Sequence, residues 1–178
     1  MHPDLHSYGM DLALREADKA YKLGEVPTGC VILRPPPEGS AFEHPSLARV
    51  LGRAHNQTET LKDPTAHAEM IAITQAAAAL GDWRLTETVL YVTKEPCPMC
   101  AGAIVLARIP MVVYGLPDPR RGGISVFNIL RHEGLNHQAE IVPGILEDRC
   151  RDQLTSFFRD CREGRIPRPG GQNGTAGE

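Results

Sequence analysis

The residues best suited to chemistry are one histidine and two cysteines at spacings typical of metal ligands. Cys97 and Cys100 are three residues apart at the start of a predicted helix, which puts both sulfurs on one helix face. A helix N-terminus favours the thiolate that a metal needs. His67, in the first turn of another predicted helix, is placed to supply a third ligand. One histidine with two cysteines is a zinc set that leaves a position open for water, and Glu69 is then the natural general acid and base.

Two other interpretations of the cysteine pair stay open on the residues alone. A Cys-x-x-Cys pair after a strand is also the usual setting of a redox pair, although this leaves His67 and Glu69 without a role. A structural zinc would need a fourth ligand from Cys30, Cys150 or Cys161. These three cysteines fall on predicted core stripes, which favours small buried side chains. Five cysteines give no disulfide framework, and no disulfide-linked partner is expected.

The elements that must position these residues alternate between strands and helices. Apolar residues at spacings of three and four predict helices over residues 10–21, 63–80, 96–108 and 147–162, the second starting at Asp63-Pro64-Thr65. Short apolar runs predict strands over residues 28–33, 49–55, 89–93, 111–114 and 141–146. This alternation predicts one layered α/β domain, residues 1–165, with helices on both faces of a sheet. Residues 34–46 are predicted to be an exposed connection and residues 166–178 a disordered C-terminal tail.

The composition excludes several classes of protein. The 178 residues have a formal net charge of -3, which gives no electrostatic footprint for strong non-specific binding to nucleic acid or to a membrane surface. No apolar run is long enough to span a membrane, and the N-terminus lacks the features of an export signal. The expected location is therefore the cytoplasm, and any nucleic-acid contact is expected to be local.

The histidine and cysteine motifs also resemble a known family. His67-Ala68-Glu69 followed by Pro96-Cys97-Pro98-Met99-Cys100 is the two-part signature of the zinc-dependent nucleobase deaminases. Beyond the signature, the chain is similar to bacterial tRNA-specific adenosine deaminases of the TadA type over roughly residues 8–162. The further segments that carry this similarity are Gly24-Glu25-Val26-Pro27, Asn56, Asp63-Pro64-Thr65-Ala66, Leu90-Tyr91-Val92-Thr93, Asn136-His137, Gly144-Ile145-Leu146 and Phe157-Phe158-Arg159.

The resemblance implies a fold, a cofactor and a reaction. The implied fold is the three-layer α/β/α, cytidine-deaminase-like fold with a central mixed five-stranded sheet. His67, Cys97 and Cys100 would hold one zinc ion per subunit, with Glu69 moving protons between water, the purine ring and the leaving ammonia. The implied reaction converts adenosine to inosine at the wobble position of a tRNA anticodon, in a homodimer that binds the splayed anticodon loop. The substrate-binding positions implied by the family are Val26, Pro27, Asn56, Ala68, Asp118, Phe158 and Arg159.

Two alternatives to a tRNA deaminase stay open. One is a deaminase of a free base or nucleoside, such as guanine, cytosine or adenosine, on the same scaffold. The acidic net charge favours this small substrate slightly, whereas Asn136-His137 and Phe157-Phe158-Arg159 favour tRNA. The other is a zinc-stabilised RNA-binding subunit without catalysis. Glu69 argues against it, because an inactive protein has no need for a carboxylate beside the metal.

The chain departs from the family pattern where substrate choice would be set. Lys94 replaces a residue that is usually apolar, and alternation along a strand points it away from its two neighbours, toward the pocket mouth or an RNA phosphate. Leu116-Pro117 is bulkier and stiffer than the family's small residue, and the proline-rich stretch 34–46 is an unusual insertion. All of these departures lie outside the zinc chemistry.

Overall fold

The computed structural model describes residues 3–36 and 47–166. In these ranges the helices are α1 (Pro3–Lys22), α2 (Thr58–Leu61), α3 (Ala68–Leu80), α4 (Pro98–Leu106) and α5 (Glu147–Arg162). The strands are β1 (Gly29–Arg34), β2 (Arg49–His55), β3 (Val89–Lys94), β4 (Met111–Leu116) and β5 (Glu140–Val142). A short 3-10 helix covers Ile129–Arg131.

The strands form one mixed sheet in the order β2-β1-β3-β4-β5. Strand β1 is antiparallel to both β2 and β3, whereas β3, β4 and β5 are parallel to one another. The segment before β1 and the segments after β2, β3 and β4 therefore all meet at one edge of the sheet. Ligand sites of α/β sheets form at such an edge, outside the carboxyl ends of the parallel strands.

Helices cover both faces of the sheet, which confirms the three-layer α/β/α architecture. Helices α3 and α4 pack on one face, where Ala72, Ala76 and Ile104 join a core with residues of β1 and β3. Helices α1 and α5 pack on the other face, where Met10 and Cys150 belong to a second core. The central strands are buried on both faces, as expected for their nearly continuous apolar sequences.

Small residues bring α3 close to the sheet. A Cβ atom at Gly52 of β2 would overlap the carbonyl oxygen of Ala72, and the facing side chains of α3 are alanines buried in the core. Since α3 carries two of the predicted site residues at its start, this close approach fixes their height above the sheet edge.

The secondary structure differs from the sequence predictions in several details, and the first helix begins at Pro3 rather than at residue 10. The helix predicted to begin at Asp63 begins at Ala68, because Asp63 Oδ1 accepts the Thr65 backbone N–H at 2.7 Å and closes a separate turn. Strand β5 ends at Val142 rather than at residue 146, since Pro143 has no N–H for the ladder and Gly144 has a φ of 79°. The four-residue α2 was not predicted, because one turn is too short to give a periodic pattern.

Two other sequence predictions meet the structure only in part. The predicted tail lies outside the described residues except for Ile166, and residues 37–46 of the proline-rich stretch also lie outside them. No disulfide joins any of the five cysteines, and Cys30, Cys150 and Cys161 are buried as predicted. Within the described ranges, no helix combines the length and apolar character needed to cross a membrane.

Candidate metal centre and active site

The predicted metal ligands come together at the starts of two helices. His67 is the N-cap residue of α3 and Cys97 the N-cap residue of α4, both with extended backbone, and Pro98 opens α4. Cys100 lies one turn into α4 and is fully buried. Proline suits the first position of a helix, where no partner exists for its missing N–H. The start of α4 is therefore set firmly by the sequence that also provides two of the three ligands.

The distances between the three ligand atoms fit a tetrahedral metal ion. His67 Nδ1 lies 3.6 Å from Cys97 Sγ and 3.5 Å from Cys100 Sγ, and all three ligand atoms lie within 4.8 Å of one another. Zinc binds sulfur at about 2.3 Å and imidazole nitrogen at about 2.0–2.1 Å, so tetrahedral angles separate such ligands by about 3.6 Å. The two distances from His67 Nδ1 thus match the spacing of zinc ligands. Among the described residues, no other histidine, cysteine or carboxylate joins this group.

The protonation of the cluster also fits a cation. A hydrogen bond from the Cys100 thiol lowers the pKa of Cys97 to about 3 and, by the same pairing, raises the pKa of Cys100. The hydrogen bond with Cys97 raises the pKa of His67. Cys97 is therefore the more readily ionised thiol of the pair, and a metal that binds both sulfurs as thiolates also displaces the proton of Cys100.

Glu69 lies beside the cluster as a buried acid. Its side chain is only 3% exposed, and its Oε2 atom has no hydrogen-bond partner among the described residues. Burial raises the pKa of Glu69 toward neutral pH. A group that both takes and gives a proton works best when its pKa lies near the pH of the reaction. A buried carboxylate oxygen without a partner is costly in a folded protein, and a bound water or substrate atom would satisfy it.

A cavity of about 620 Å³ opens above this group. Of the predicted substrate-binding residues, Val26, Asn56, Asp118 and Phe158 line the cavity. Pro27, Ala68 and Arg159 are not among the lining residues. Pro27 and Ala68 are buried, and each is adjacent in sequence to a residue that lines the cavity. Arg159 points instead to Ser156 Oγ and Asp160.

Asn56 is held by a buried acid that sequence reasoning did not single out. The Glu25 carboxylate is fully buried and accepts hydrogen bonds from Asn56 Nδ2 at 3.3 Å and from the backbone N–H groups of Glu59 and Thr60 at 3.2 and 2.6 Å. Asn56 Nδ2 also donates to Thr58 Oγ1 at 3.0 Å. Glu25 thereby fixes both the Asn56 amide and the start of α2. The sequence signal for it was its place in the family-like segment Gly24-Glu25-Val26-Pro27, which gave no role for the acid itself.

A second buried acid, Glu95, holds the loop that follows β4. Its carboxylate accepts the backbone N–H groups of Asp118, Ile124 and Ser125 at 2.7, 3.2 and 2.6 Å, and the Ser125 hydroxyl at 2.9 Å. Gly122 lies against this carboxylate with no room for a Cβ atom. Glu95 stands directly before Pro96-Cys97, so the loop is tied to the segment that carries a metal ligand.

The more exposed lining residues on β3, the loop after β4 and α5 are called the cavity mouth: Lys94, Asp118, Arg121, Phe127 and Phe158. Lys94 Nζ forms an ion pair with Asp118 Oδ2. The Phe127 and Phe158 side chains are 52% and 40% exposed, so both rings are accessible to a ligand. The mouth therefore combines charged groups with two accessible aromatic faces.

Comparison with known proteins agrees with this geometry. The model of the cytidine and deoxycytidylate deaminase zinc-binding region matches residues 3–116. The chain is 47% identical over 156 residues to a tRNA-specific adenosine deaminase of Bacillus subtilis, covering 86% of this chain and 89% of the relative.

Solved structures give the same result for the fold. A structure from a study of A-to-I editing by tRNA A34 deaminases at the wobble position matches with a TM-score of 0.71 and 38% identity, over 82% of this chain and 98% of the other. A guanine deaminase from Nitrosomonas europaea shares the fold at 17% identity and a TM-score of 0.67, over 85% of this chain and 83% of the other. With the histidine, the two cysteines and the buried glutamate in place, the chain belongs to the zinc-dependent cytidine and deoxycytidylate deaminase family.

Proposed function

We propose that this protein deaminates adenosine to inosine by hydrolysis at the wobble position of a tRNA anticodon. The observation that carries the proposal is the metal-ligand cluster with Glu69 beside it at the base of an open cavity. The substrate follows from relatives that are 42–47% identical over most of the chain and are named tRNA-specific adenosine deaminases.

His67, Cys97 and Cys100 are the residues that would hold zinc. Zinc with three protein ligands lowers the pKa of a coordinated water toward neutrality, which is the chemistry that the cofactor supplies when bound. The reaction consumes one water and releases one ammonia: a C–O bond forms at the purine carbon that carries the amino group, and its C–N bond breaks.

Glu69 moves the protons of this reaction. The unpartnered Oε2 takes a proton from the attacking water and delivers it to a purine ring nitrogen, which makes the neighbouring carbon a better electrophile. The carboxyl then assists proton transfer to the departing amino group, so that ammonia rather than an amide ion leaves. Since burial raises the pKa of Glu69, both its charged and its neutral form are accessible during the cycle.

The cavity walls orient the base. Val26 and Asn56 line the cavity, and the amide of Asn56 would hydrogen-bond an edge of the base. Because Glu25 buries its carboxylate against this amide, Asn56 is held in position before a ligand arrives. Such preorganisation lowers the entropy lost when the base binds.

The cavity mouth suits a flipped nucleotide of a single-stranded loop. Exposed aromatic rings stack on bases that have left a helix, and RNA is recognised in this way at loops and bulges. Phe158 and Phe127 offer two such rings. The overall charge of -3 restricts electrostatic attraction to local cations, so binding should depend on the loop rather than on the whole tRNA.

We further propose that the enzyme is a cytoplasmic homodimer, as the family resemblance implies. Sedimentation of the zinc-loaded protein tests the first part: a dimer mass is expected, and a monomer at assay concentration would contradict it. Fractionation of cells and detection of the native protein in the soluble cytoplasmic fraction tests the second.

Incubation with RNA and small substrates tests the proposed reaction. The zinc-loaded protein is given an anticodon stem-loop with adenosine at the wobble position, the same stem-loop with that adenosine moved one position, and free adenosine, cytidine and guanine. Inosine is expected only at the wobble position of the first substrate. Turnover of a free base without turnover of the stem-loop would favour the small-molecule alternative, and binding of the stem-loop without any product would favour a non-catalytic subunit.

A further inference from the structure

The cavity mouth carries a charge arrangement that the family resemblance does not explain. Lys94, at the end of β3, lines the cavity with its side chain 30% exposed, and its ammonium pairs with Asp118. An ammonium group has three N–H donors. Asp118 takes one of them, and Lys94 has no other partner among the described residues. Lys94 thus keeps unused donors at an accessible point of the cavity.

Asp118 is already fully engaged within the protein. Its Oδ1 atom accepts the backbone N–H groups of Arg120 and Arg121, both at 3.1 Å, and its Oδ2 atom accepts Lys94. Its side chain is 12% exposed. Burial raises the pKa of Asp118, but Lys94 and the two N–H groups outweigh it and lower the pKa to about 2. At neutral pH this carboxylate is ionised and holds Lys94 and the turn, so a ligand would meet the N–H donors of the ammonium that Asp118 does not use.

A second cation lies next to this pair. The Arg121 side chain lines the cavity and is exposed, and within the described ranges its guanidinium has no ion-pair partner. Its own backbone N–H is bound by Asp118, so the position of Arg121 is tied to that of Lys94.

Apart from Asp118, the acidic residues that line the cavity form no ion pair with Lys94 or Arg121 within the described ranges. The carboxylates of Glu25 and Glu95 are occupied by backbone N–H groups, and Glu59 pairs with Lys62 at 3.7 Å. Glu69 lies at the base beside the metal ligands. The N–H donors of Lys94 and Arg121 that Asp118 leaves unused are therefore open to a ligand at the cavity mouth.

We propose that Lys94 and Arg121 bind a phosphate group of the nucleotide in the cavity, with Asp118 as the positioning residue that holds Lys94. The proposal rests on the proposed function and names a specificity device within it. A phosphate offers several acceptor oxygens, which matches the free donors of an ammonium and a guanidinium. The phosphate belongs either to the RNA chain beside the flipped base or to a free nucleoside monophosphate.

The salt dependence of RNA deamination tests this proposal. The wild type, Lys94→Met, Lys94→Arg and Arg121→Gln are compared on the anticodon stem-loop, with zinc content and melting temperature measured for each. The matched control is Arg84→Gln, which removes an exposed cation before the opposite end of β3. Loss of one phosphate contact should reduce the slope of log kcat/KM against log salt by about 0.7.

Lys94→Met and Arg121→Gln should each show this smaller slope and a KM raised about tenfold, with kcat nearly unchanged. Lys94→Arg should keep the salt slope of the wild type, because arginine is also a cation. Arg84→Gln should keep it as well. Asp118→Asn should raise KM in the presence of Lys94 and have no further effect in combination with Lys94→Met. If Lys94→Met instead lowered kcat and left the salt slope unchanged, the ion pair would be purely structural. That result would overturn the proposal.

Calorimetry with adenosine and adenosine 5′-monophosphate identifies the source of the phosphate. If the monophosphate binds more tightly than adenosine and Lys94→Met loses this difference, the phosphate belongs to a free nucleotide. If both bind equally and the variants change the salt slope with RNA, the phosphate belongs to the RNA chain. Unchanged salt slopes in both variants, with no advantage for the monophosphate, would overturn the phosphate site. A wild type that forms no inosine in RNA would contradict the proposed function instead, and the calorimetric comparison would still test the phosphate site.

Discussion

The two ends of the cavity are built in different ways. At the metal end, His67 and Cys97 are helix caps, Cys100 and Glu69 are buried, and helix packing fixes the geometry. At the cavity mouth, one ion pair and the hydrogen bonds of Glu95 and Asp118 fix a loop, and the aromatic rings are exposed.

This difference separates the chemistry from the recognition of the substrate. Changes at the metal end should remove the reaction itself, because no other group in the part of the chain that the structure describes can replace a ligand or the acid. Changes at the mouth should alter KM, salt dependence or stability and leave the metal bound. Each prediction below tests whether the two ends are independent in this sense.

The largest effect is expected from loss of a metal ligand. Cys100→Ser should lose zinc, measured by metal analysis, and with it all detectable deamination, since the open site no longer holds the cofactor. Removal of zinc from the wild type by a chelator should have the same effect and be reversed by added zinc. Cys150→Ser is the matched control: it replaces a buried thiol outside the cluster and should keep the metal at a cost of about 1–3 kcal/mol in stability. Full activity of metal-free protein would contradict the assignment.

The next largest effect is expected at Glu69. Glu69→Gln keeps the size of the side chain and removes its ability to carry protons, so kcat should fall by about 10²–10⁴-fold. Zinc content should be unchanged, and the melting temperature should be equal or higher, because a buried ionisable group is replaced by a neutral one. Activity near that of the wild type would exclude Glu69 as the acid and base.

Two adjacent phenylalanines of α5, one buried and one at the cavity mouth, give a matched pair. Phe157 is fully buried with its ring centroid 5.4 Å from that of Tyr21, so Phe157→Ala should cost about 3–5 kcal/mol of unfolding free energy. Phe158 is 40% exposed, and Phe158→Ala should cost little stability while raising KM for the stem-loop about tenfold, as loss of one stacked base predicts. The reverse pattern in urea unfolding and kinetics would show that Phe158 is a packing residue.

A smaller effect is expected where the loop meets Glu95. Gly122→Ala puts a methyl group against the Glu95 carboxylate, so the loop must shift at a cost of about 1–3 kcal/mol. KM for the stem-loop should rise while zinc stays bound. Gly102→Ala on α4 is the control, because nothing lies within 4 Å of its Cβ position and alanine favours a helix. Loss of zinc in Gly122→Ala would show that the two ends are coupled.

The smallest effect is expected from the pH dependence of the Lys94–Asp118 pair. The pKa of Asp118 is lowered from 3.8 to about 2, so its contribution to stability is complete above pH 4 and is lost as the pH falls through 2. The difference in unfolding free energy between the wild type and Asp118→Asn, at most about 1 kcal/mol, should disappear over that range. A difference that stays constant between pH 5 and 2 in urea titrations would indicate that the charge of Asp118 has no part in it.

The metal end could be predicted from the sequence because its information is local. Cys97 and Cys100 are one helical turn apart, and His67 and Glu69 flank one residue at a helix start, so spacing alone brings each pair together. The mixed five-stranded sheet needed the family resemblance, since alternating elements do not reveal the strand order.

The supports of the cavity mouth depend on contacts between distant segments. Glu25 meets Thr60, 35 residues away, and Glu95 meets Ser125, 30 residues away. Neither acid lies in a pattern that separates a buried carboxylate from an exposed one. The start of α3 was placed too early for a related reason: Asp63 has the chemistry of a helix cap, but it closes a turn with Thr65.

The position of both ligand segments at helix starts has a consequence for how such an enzyme changes its substrate. Helix α3 packs against the sheet and against α4, and α4 shares a core with the sheet. The metal ligands and Glu69 are therefore positioned by packed helices of the fold rather than by a loop. The loop after β4 and the side chains of α5 can then change in evolution or by design. Such changes alter the affinity for the substrate and leave the metal ligands and Glu69 in place. Glu95 limits such changes, because its carboxylate binds both ends of this loop. An insertion between residues 117 and 125 would therefore displace the end of the strand beside Cys97.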